Sequence, residues 1–143
     1  MLVSHISRYY YLFLILFVTS CAGTGTKNFP NLNTGLDKSG SNIYFFRPGA
    51  YVGGGIIPSI IVNGTEIGTL GNDEYLETFV KPGEFTIVSK VKGLNSIGME
   101  TDSRSGIAKP GKNFFYIVSL KQKFFTGQFL LTETTENGLK QAK

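Results

Sequence analysis

Histidine and cysteine are almost missing from this chain. Its 143 residues hold one of each, and tryptophan is absent. His5 and Cys21 both fall within the first 21 residues, so the rest of the chain has neither. That rest cannot assemble a Ser-His-Asp or Cys-His site, a His- or Cys-based zinc site or an internal disulfide. The enzymatic routes left open are a carboxylate pair, a Ser-Lys dyad and a carboxylate-held metal. Asp73, Glu74 and Glu77 form the densest acidic group. They read as a solvated strand start, and no acidic cluster has the spacing of a calcium-binding loop. General acid–base catalysis draws most often on histidine. The chain therefore reads as non-enzymatic, without cofactor or metal.

Charge of one sign is scarce as well. Fourteen Lys and Arg face ten Asp and Glu, and the basic residues never form a run. Lys90, Lys92, Lys121 and Lys123 sit at alternating positions, as on the wet faces of two strands. Nothing in this pattern reads as a nucleic-acid site.

A long apolar run is the third absence. Residues 9–18 are uncharged and apolar, ten in all. A bilayer core needs roughly 20 such residues, whereas the apolar region of a secretory signal takes roughly 7–15. The run ends at Val18-Thr19-Ser20-Cys21. This stretch resembles the lipobox of bacterial lipoproteins, in which a branched apolar residue and two small residues precede a cysteine. The resemblance implies a diacylglycerol on the Cys21 sulfur, cleavage between Ser20 and Cys21, and acylation of the new amino terminus. A thiol suits that chemistry as the strongest side-chain nucleophile. Two or more acyl chains give stable anchoring, so membrane lipid is the expected partner of Cys21. The alternative is a small buried cysteine closing an anchor helix. Ala22 and Gly23 follow, with no Asp. In enteric lipoproteins that absence implies the outer membrane.

Removing residues 1–20 leaves 123 residues, enough for one domain and too few for two. The expected organisation is a signal peptide over 1–20, a flexible tether over 21–41, a β-domain over 42–135 and a C-terminal tail over 136–143. The tether reading rests on the Gly, Asn, Thr and Ser content of residues 21–41. Strands are predicted at 42–48, 59–62, 65–70, on both sides of Pro82-Gly83 within 73–93, near 97–102, and at 114–120 and 127–135. Asn63-Gly64 predicts a type I′ hairpin turn, and Pro82-Gly83 predicts a second hairpin. The nearly continuous apolar run at 114–120 predicts a central strand with both faces covered. The tail over 136–143 predicts a frayed helical turn. About seven or eight short strands without an amphipathic helical repeat predict an all-β fold, a single antiparallel β-sandwich.

The stretches IYFFRP, GGGIIPSIIVNGTEIGTLGNDEYLETFVKPGEFTI and AKPGKNFFYIV, within residues 43–118, resemble the domain-of-unknown-function family DUF2846. Similar turn patterns occur in PEGA-like modules of surface proteins. The resemblance implies a lipid-anchored β-sandwich and no particular activity.

Two surfaces stand out as candidates for function. In the loop at 47–58, Gly53, Gly54 and Gly55 permit close backbone approach, Arg47 suits a carboxylate or phosphate, and Tyr51 suits stacking on a sugar. The other candidate is aromatic: Phe45-Phe46, Phe114-Phe115-Tyr116 and Phe124-Phe125 are adjacent, and neighbours on a strand point to opposite faces. These features predict a lipid-anchored envelope protein with a non-enzymatic binding or structural role at the membrane surface, its expected partner an envelope protein or a cell-wall glycan. The alternative is a small-ligand or cell-wall glycan module built on the 47–58 loop.

Overall fold

A computed structural model describes residues 23–30, 32, 39–50 and 52–143. The expected leader and its expected cleavage point at Ser20, the expected lipidation residue Cys21 and the loop residue Tyr51 lie outside the described residues.

Two sheets pack face to face, as expected of an all-β sandwich. The five-stranded sheet has the order β4-β1-β8-β9-β6, and the four-stranded sheet the order β3-β2-β5-β7. The strands are β1 (Ser41–Arg47), β2 (Pro58–Val62), β3 (Thr65–Thr69), β4 (Glu74–Val80), β5 (Gly83–Val91), β6 (Met99–Glu100), β7 (Asp102–Ala108), β8 (Asn113–Gln122) and β9 (Gly127–Thr134). The sandwich is not wholly antiparallel: β1 runs parallel to β8, and β6 parallel to β9.

Alternation on each strand divides the apolar residues into two layers. Ile43 and Phe45 of β1, with Phe114, Tyr116 and Val118 of β8, face the other sheet and meet Ile60, Phe85 and Ile87. Tyr44, Phe46 and Phe115 face outward, and they too are covered. A C-terminal helix (Glu136–Gln141) lays Leu139 on them, and Phe29 and Leu32 close the rest. The Thr135 hydroxyl caps that helix by accepting from the Gly138 N–H at 3.1 Å. Strand β8 is thus central, with both faces covered over residues 114–118, whereas its outward face is exposed from Ser119 onward. The C-terminal residues, expected as a frayed tail, are a capped helix packed on the domain.

Local turn chemistry holds where φ is decisive. Asn63 and Gly64 have φ of 50° and 79°, the pair of positive angles that a type I′ turn demands. The Pro82-Gly83 hairpin is not formed. β4 pairs with β1 and β5 with β2 and β7, so this connection crosses from one sheet to the other. Turn residues specify a reversal of direction but do not choose the strand that receives the new edge. The expected strand near 97–102 is divided into short β6 and the start of β7, and Gly93–Ser96 forms a 3-10 turn before it.

Within the span expected as a tether, the described residues 24 and 26 are docked on the domain. Thr26 and Tyr75 exchange main-chain hydrogen bonds at 2.9 and 2.7 Å, an antiparallel bridge to β4. The Thr24 N–H donates to the Thr69 carbonyl of β3 at 3.0 Å. Residues 24 and 26 therefore stitch the edge of one sheet to the edge of the other. Alternation of Gly and Thr explains the fit. A Cβ at Gly23 would fall on Glu74 Oε2 and the Gly71 nitrogen, and one at Gly25 would lie 2.8 Å from the Tyr75 carbonyl. The glycines here serve close packing rather than flexibility.

The opposite seam is closed by side chains. Asp102 Oδ2 accepts from the Leu131 N–H at 2.7 Å, and Arg104 Nε donates to the Leu131 carbonyl at 3.0 Å. Arg104 Nη1 also donates to Asp102 Oδ1 at 2.9 Å. Two side chains of β7 thus take the place of main-chain pairing to β9.

Candidate binding surface

The strand directions bring the connections 48–57, 70–73, 92–98 and 123–126 to one end of the sandwich. The candidate loop belongs to this end, and Arg47 anchors it. Arg47 is 2% exposed. Its Nη1 donates to the carbonyls of Ile56 and Leu70, both at 2.8 Å, and its Nη2 to Gly53 at 2.9 Å. The guanidinium carbon lies 4.7 Å from the centre of the Phe129 ring. Burial pulls the Arg47 pKa below its ordinary value, and the negative charge of Glu74 opposes that shift.

Glu74 stands opposite Arg47 in the β1–β4 register. It is buried, not solvated as the sequence suggested. Its Oε2 accepts from the Gly71 N–H at 2.7 Å and from the Gly25 N–H at 3.2 Å. The Leu70 carbonyl and the Gly71 N–H belong to one peptide group. That peptide lies between guanidinium and carboxylate and connects the two charges by charge-assisted hydrogen bonds. Arg47, expected as a surface cation for a ligand, instead holds its own loop by three carbonyls. What sequence reading missed was Glu74; the signal for it is an acidic residue directly after a loop, level with an arginine one strand away.

The three glycines have separate roles. Gly53 has a φ of 77°, accepts from Arg47, and would drive a Cβ into Leu120. A Cβ on Gly54 would crowd the Asn72 amide at 2.8 Å, while Gly55 faces open space. Asn72 and Asp73 tie the loop from beside it. Asn72 Nδ2 donates to the Ala50 carbonyl at 3.0 Å, and Asp73 Oδ1 accepts from the Gly49 N–H at 2.8 Å. Beneath the loop is a cavity of about 300 Å³, lined in part by Arg47, Ala50, Val52, Leu120 and Gln122. This lies at the small end of the range for ligand pockets.

Beside it, the turn at 123–126 and the connection 92–98 lie together. The Gly127 N–H donates to the Gly98 carbonyl at 2.8 Å, and the Lys123 N–H to the Thr126 carbonyl at 2.7 Å. Glu100 accepts from Lys123 at 2.7 Å and Thr126 at 3.1 Å, which holds its carboxyl below the usual range. Leu94, Ile97, Phe124 and Phe125 project from this ordered frame and are 88%, 82%, 94% and 87% exposed. The two phenylalanine rings meet edge to face at 4.8 Å. The paired aromatics of β1 and β8 are, by contrast, all buried.

Among the described residues, no group of three His, Cys, Asp or Glu is placed to hold a metal ion. No helix there is long and apolar enough to cross a membrane. No family model matches the chain, and neither does any curated protein.

Proposed function

We propose that this chain is a bacterial envelope lipoprotein of the DUF2846 kind, held by acylated Cys21 and acting by binding or by structural contact rather than by catalysis. The observation that carries the reading is the passage from a ten-residue apolar run to Val18-Thr19-Ser20-Cys21, with the chain's one cysteine at the end. Outer-membrane placement is part of the proposal, supported by Ala22 and Gly23 where an inner-membrane signal would carry Asp. The docked residues 24–26 refine the mechanism. The domain is held close to its anchor, and its own surface, not the reach of a tether, determines what it meets.

The test is to express the full chain and a Cys21→Ser variant in a bacterium fed labelled fatty acid, and to fractionate the membranes. The proposal expects label on the wild type alone, in the outer-membrane fraction. Label on neither form would overturn it.

The cavity beneath the 47–58 loop favours a second reading, a small-ligand or glycan module. A ligand that binds only the folded form raises the melting temperature. A rise with cell-wall fragments that is lost when Leu120→Trp fills the cavity would support this reading. No shift across a fragment panel would end it.

A further inference from the structure

Seven large hydrophobic side chains among the described residues are markedly exposed. Five of them, Val52, Leu94, Ile97, Phe124 and Phe125, lie at the loop end of the sandwich. The other two, Phe79 and Ile107, lie toward the opposite end, beside Val80 and Ala108. Leu94, Ile97, Phe124 and Phe125 do not fold back into the groove of about 370 Å³ beside them, although Ile97 and both rings line it. The frame that presents them is tied by the Gly127–Gly98 and Lys123–Thr126 hydrogen bonds. Apolar groups collected and held outward in this way mark a contact surface.

The course of the chain says what that surface faces. Thr24 and Thr26 are fixed to β3 and β4 at this same end. Cys21 precedes Gly23 by two residues, a reach of about 7 Å at full extension. Thr26 pairs on the outer edge of β4, so it lies three strand spacings from β8, which leads into the Phe124 turn, a lateral distance of about 14 Å. A lipid on Cys21 would therefore bring the bilayer to the end that carries the exposed rings.

We propose that the loop end is a lipid-contact face: Leu94, Ile97, Phe124 and Phe125 enter the membrane interface beside the acyl anchor. The anchor in this arrangement rests on the lipoprotein reading above. The strands then run away from the bilayer and leave the Asn63-Gly64 and Pro82-Gly83 turns at the far end. Charge contributes little to the contact. Lys92 pairs with Glu66 and Lys123 with Glu100, so much of the rim is already neutralised. Apolar insertion accordingly makes the contact insensitive to salt, unlike one led by a basic patch.

The absence of tryptophan provides a clean reporter. Full chains carrying Phe124→Trp, or Ile107→Trp as the far-end control, are purified from membranes into phosphatidylethanolamine–phosphatidylglycerol vesicles. Matched vesicles carry brominated acyl chains, and fatty-acid label on Cys21 is read in the same samples. The expected result is blue-shifted emission at position 124 that brominated chains quench, with solvent-like, unquenched emission at position 107. Quenching at 124 but not at 107 upholds the contact whether or not Cys21 carries label; if label is missing, only the anchor fails. Unquenched emission at 124 with label present overturns the contact and leaves the lipoprotein reading intact. Blue-shifted but unquenched emission means that a protein covers the rings, and equal quenching at both positions means that the domain has no fixed orientation. Either of those outcomes also overturns the proposal.

Discussion

The two ends of this sandwich are built differently. At the turn end, β2 and β3 are joined by two residues, as are β4 and β5, and β7 and β8 by four. At the loop end, ten residues separate β1 from β2, and the chain carries buried charge, a cavity and a set of exposed rings. The connections of the turn end do little more than reverse the chain, and its two exposed hydrophobics, Phe79 and Ile107, are not held together in a cluster. Arg47 and Glu74 at the loop end are accounted for by the fold, since they hold the long connection and the N-terminal segment in place. Phe124, Phe125, Leu94 and Ile97 satisfy no requirement of the fold. The comparison thus separates residues kept for folding from residues free to serve a contact, and substitutions at each end can test the division.

The largest effect is expected at Arg47. Arg47→Ala strands three carbonyls and leaves Glu74 without its opposing charge across the shared peptide. Breaking one side of a buried charged pair costs about 3–5 kcal/mol. Urea unfolding of the variant should show a loss of that order, and a loss under 1 kcal/mol would mean that Arg47 is not the staple of its loop. Glycine substitution compares the ends directly. Gly64→Ala meets open space, so its cost is only that of a positive φ, about 1–2 kcal/mol. Gly53→Ala bears the same backbone cost and also collides with Leu120. The loop-end variant should be the less stable of the two by denaturant midpoint. The reverse order would show that the long connection yields where the short turn cannot.

What the sequence made legible divides along the same line. Asn63-Gly64 was readable because one pair of residue types satisfies two positive φ angles. The 114–120 run was readable because consecutive apolar residues rich in aromatic and β-branched types, closed off by the Pro110-Gly111 turn before them, suit a short strand covered on both faces. Other features were decided by partners distant in sequence. Pro82-Gly83 turns the chain without making a hairpin, since β1 and β2 take the two strands that it joins. The Gly-Thr stretch after Cys21 has the composition of a linker. Only the absence of room beside Glu74 and Gly71 shows that its glycines are there to fit a seam. Arg47 looked like a surface cation because sequence does not record that the carbonyls of Gly53, Ile56 and Leu70 converge on it.

A smaller, pH-dependent effect tests the shared core between the ends. Burial raises the Tyr116 hydroxyl from its ordinary pKa of 10.0 to about 12. Tyr44 and Tyr75 are raised too, chiefly by the same cause. Above pH 10 the unfolded chain releases these protons while the folded chain retains them, so the unfolded state binds fewer protons and stability falls as pH rises. The Tyr116 contribution is complete below pH 10 and is lost between about pH 10 and 12. Tyr116→Phe should flatten part of that decline in unfolding experiments across this range. An unchanged slope would assign the alkaline loss to other groups.

The smallest change in stability should accompany the largest change in behaviour. Phe124 and Phe125 touch each other more than they touch the core, and both are almost fully exposed. Replacing both with Ser removes little buried area, and surface changes of this kind usually stay within about 0.5 kcal/mol. If the rings belonged to the folding apparatus, the double variant would instead lose several kcal/mol, as core truncations of phenylalanine do. The measurement pairs a urea midpoint with the fraction of full-length chain retained on vesicles in the Cys21→Ser background, where no acyl chain can mask the loops. An unmoved midpoint with reduced retention is the expected outcome, because the rings then contribute to the lipid contact and not to the fold. A lowered midpoint would return them to the core and erase the distinction between the two ends. Unchanged retention with an unmoved midpoint would leave the rings outside both roles, and the domain would approach the membrane through Cys21 alone.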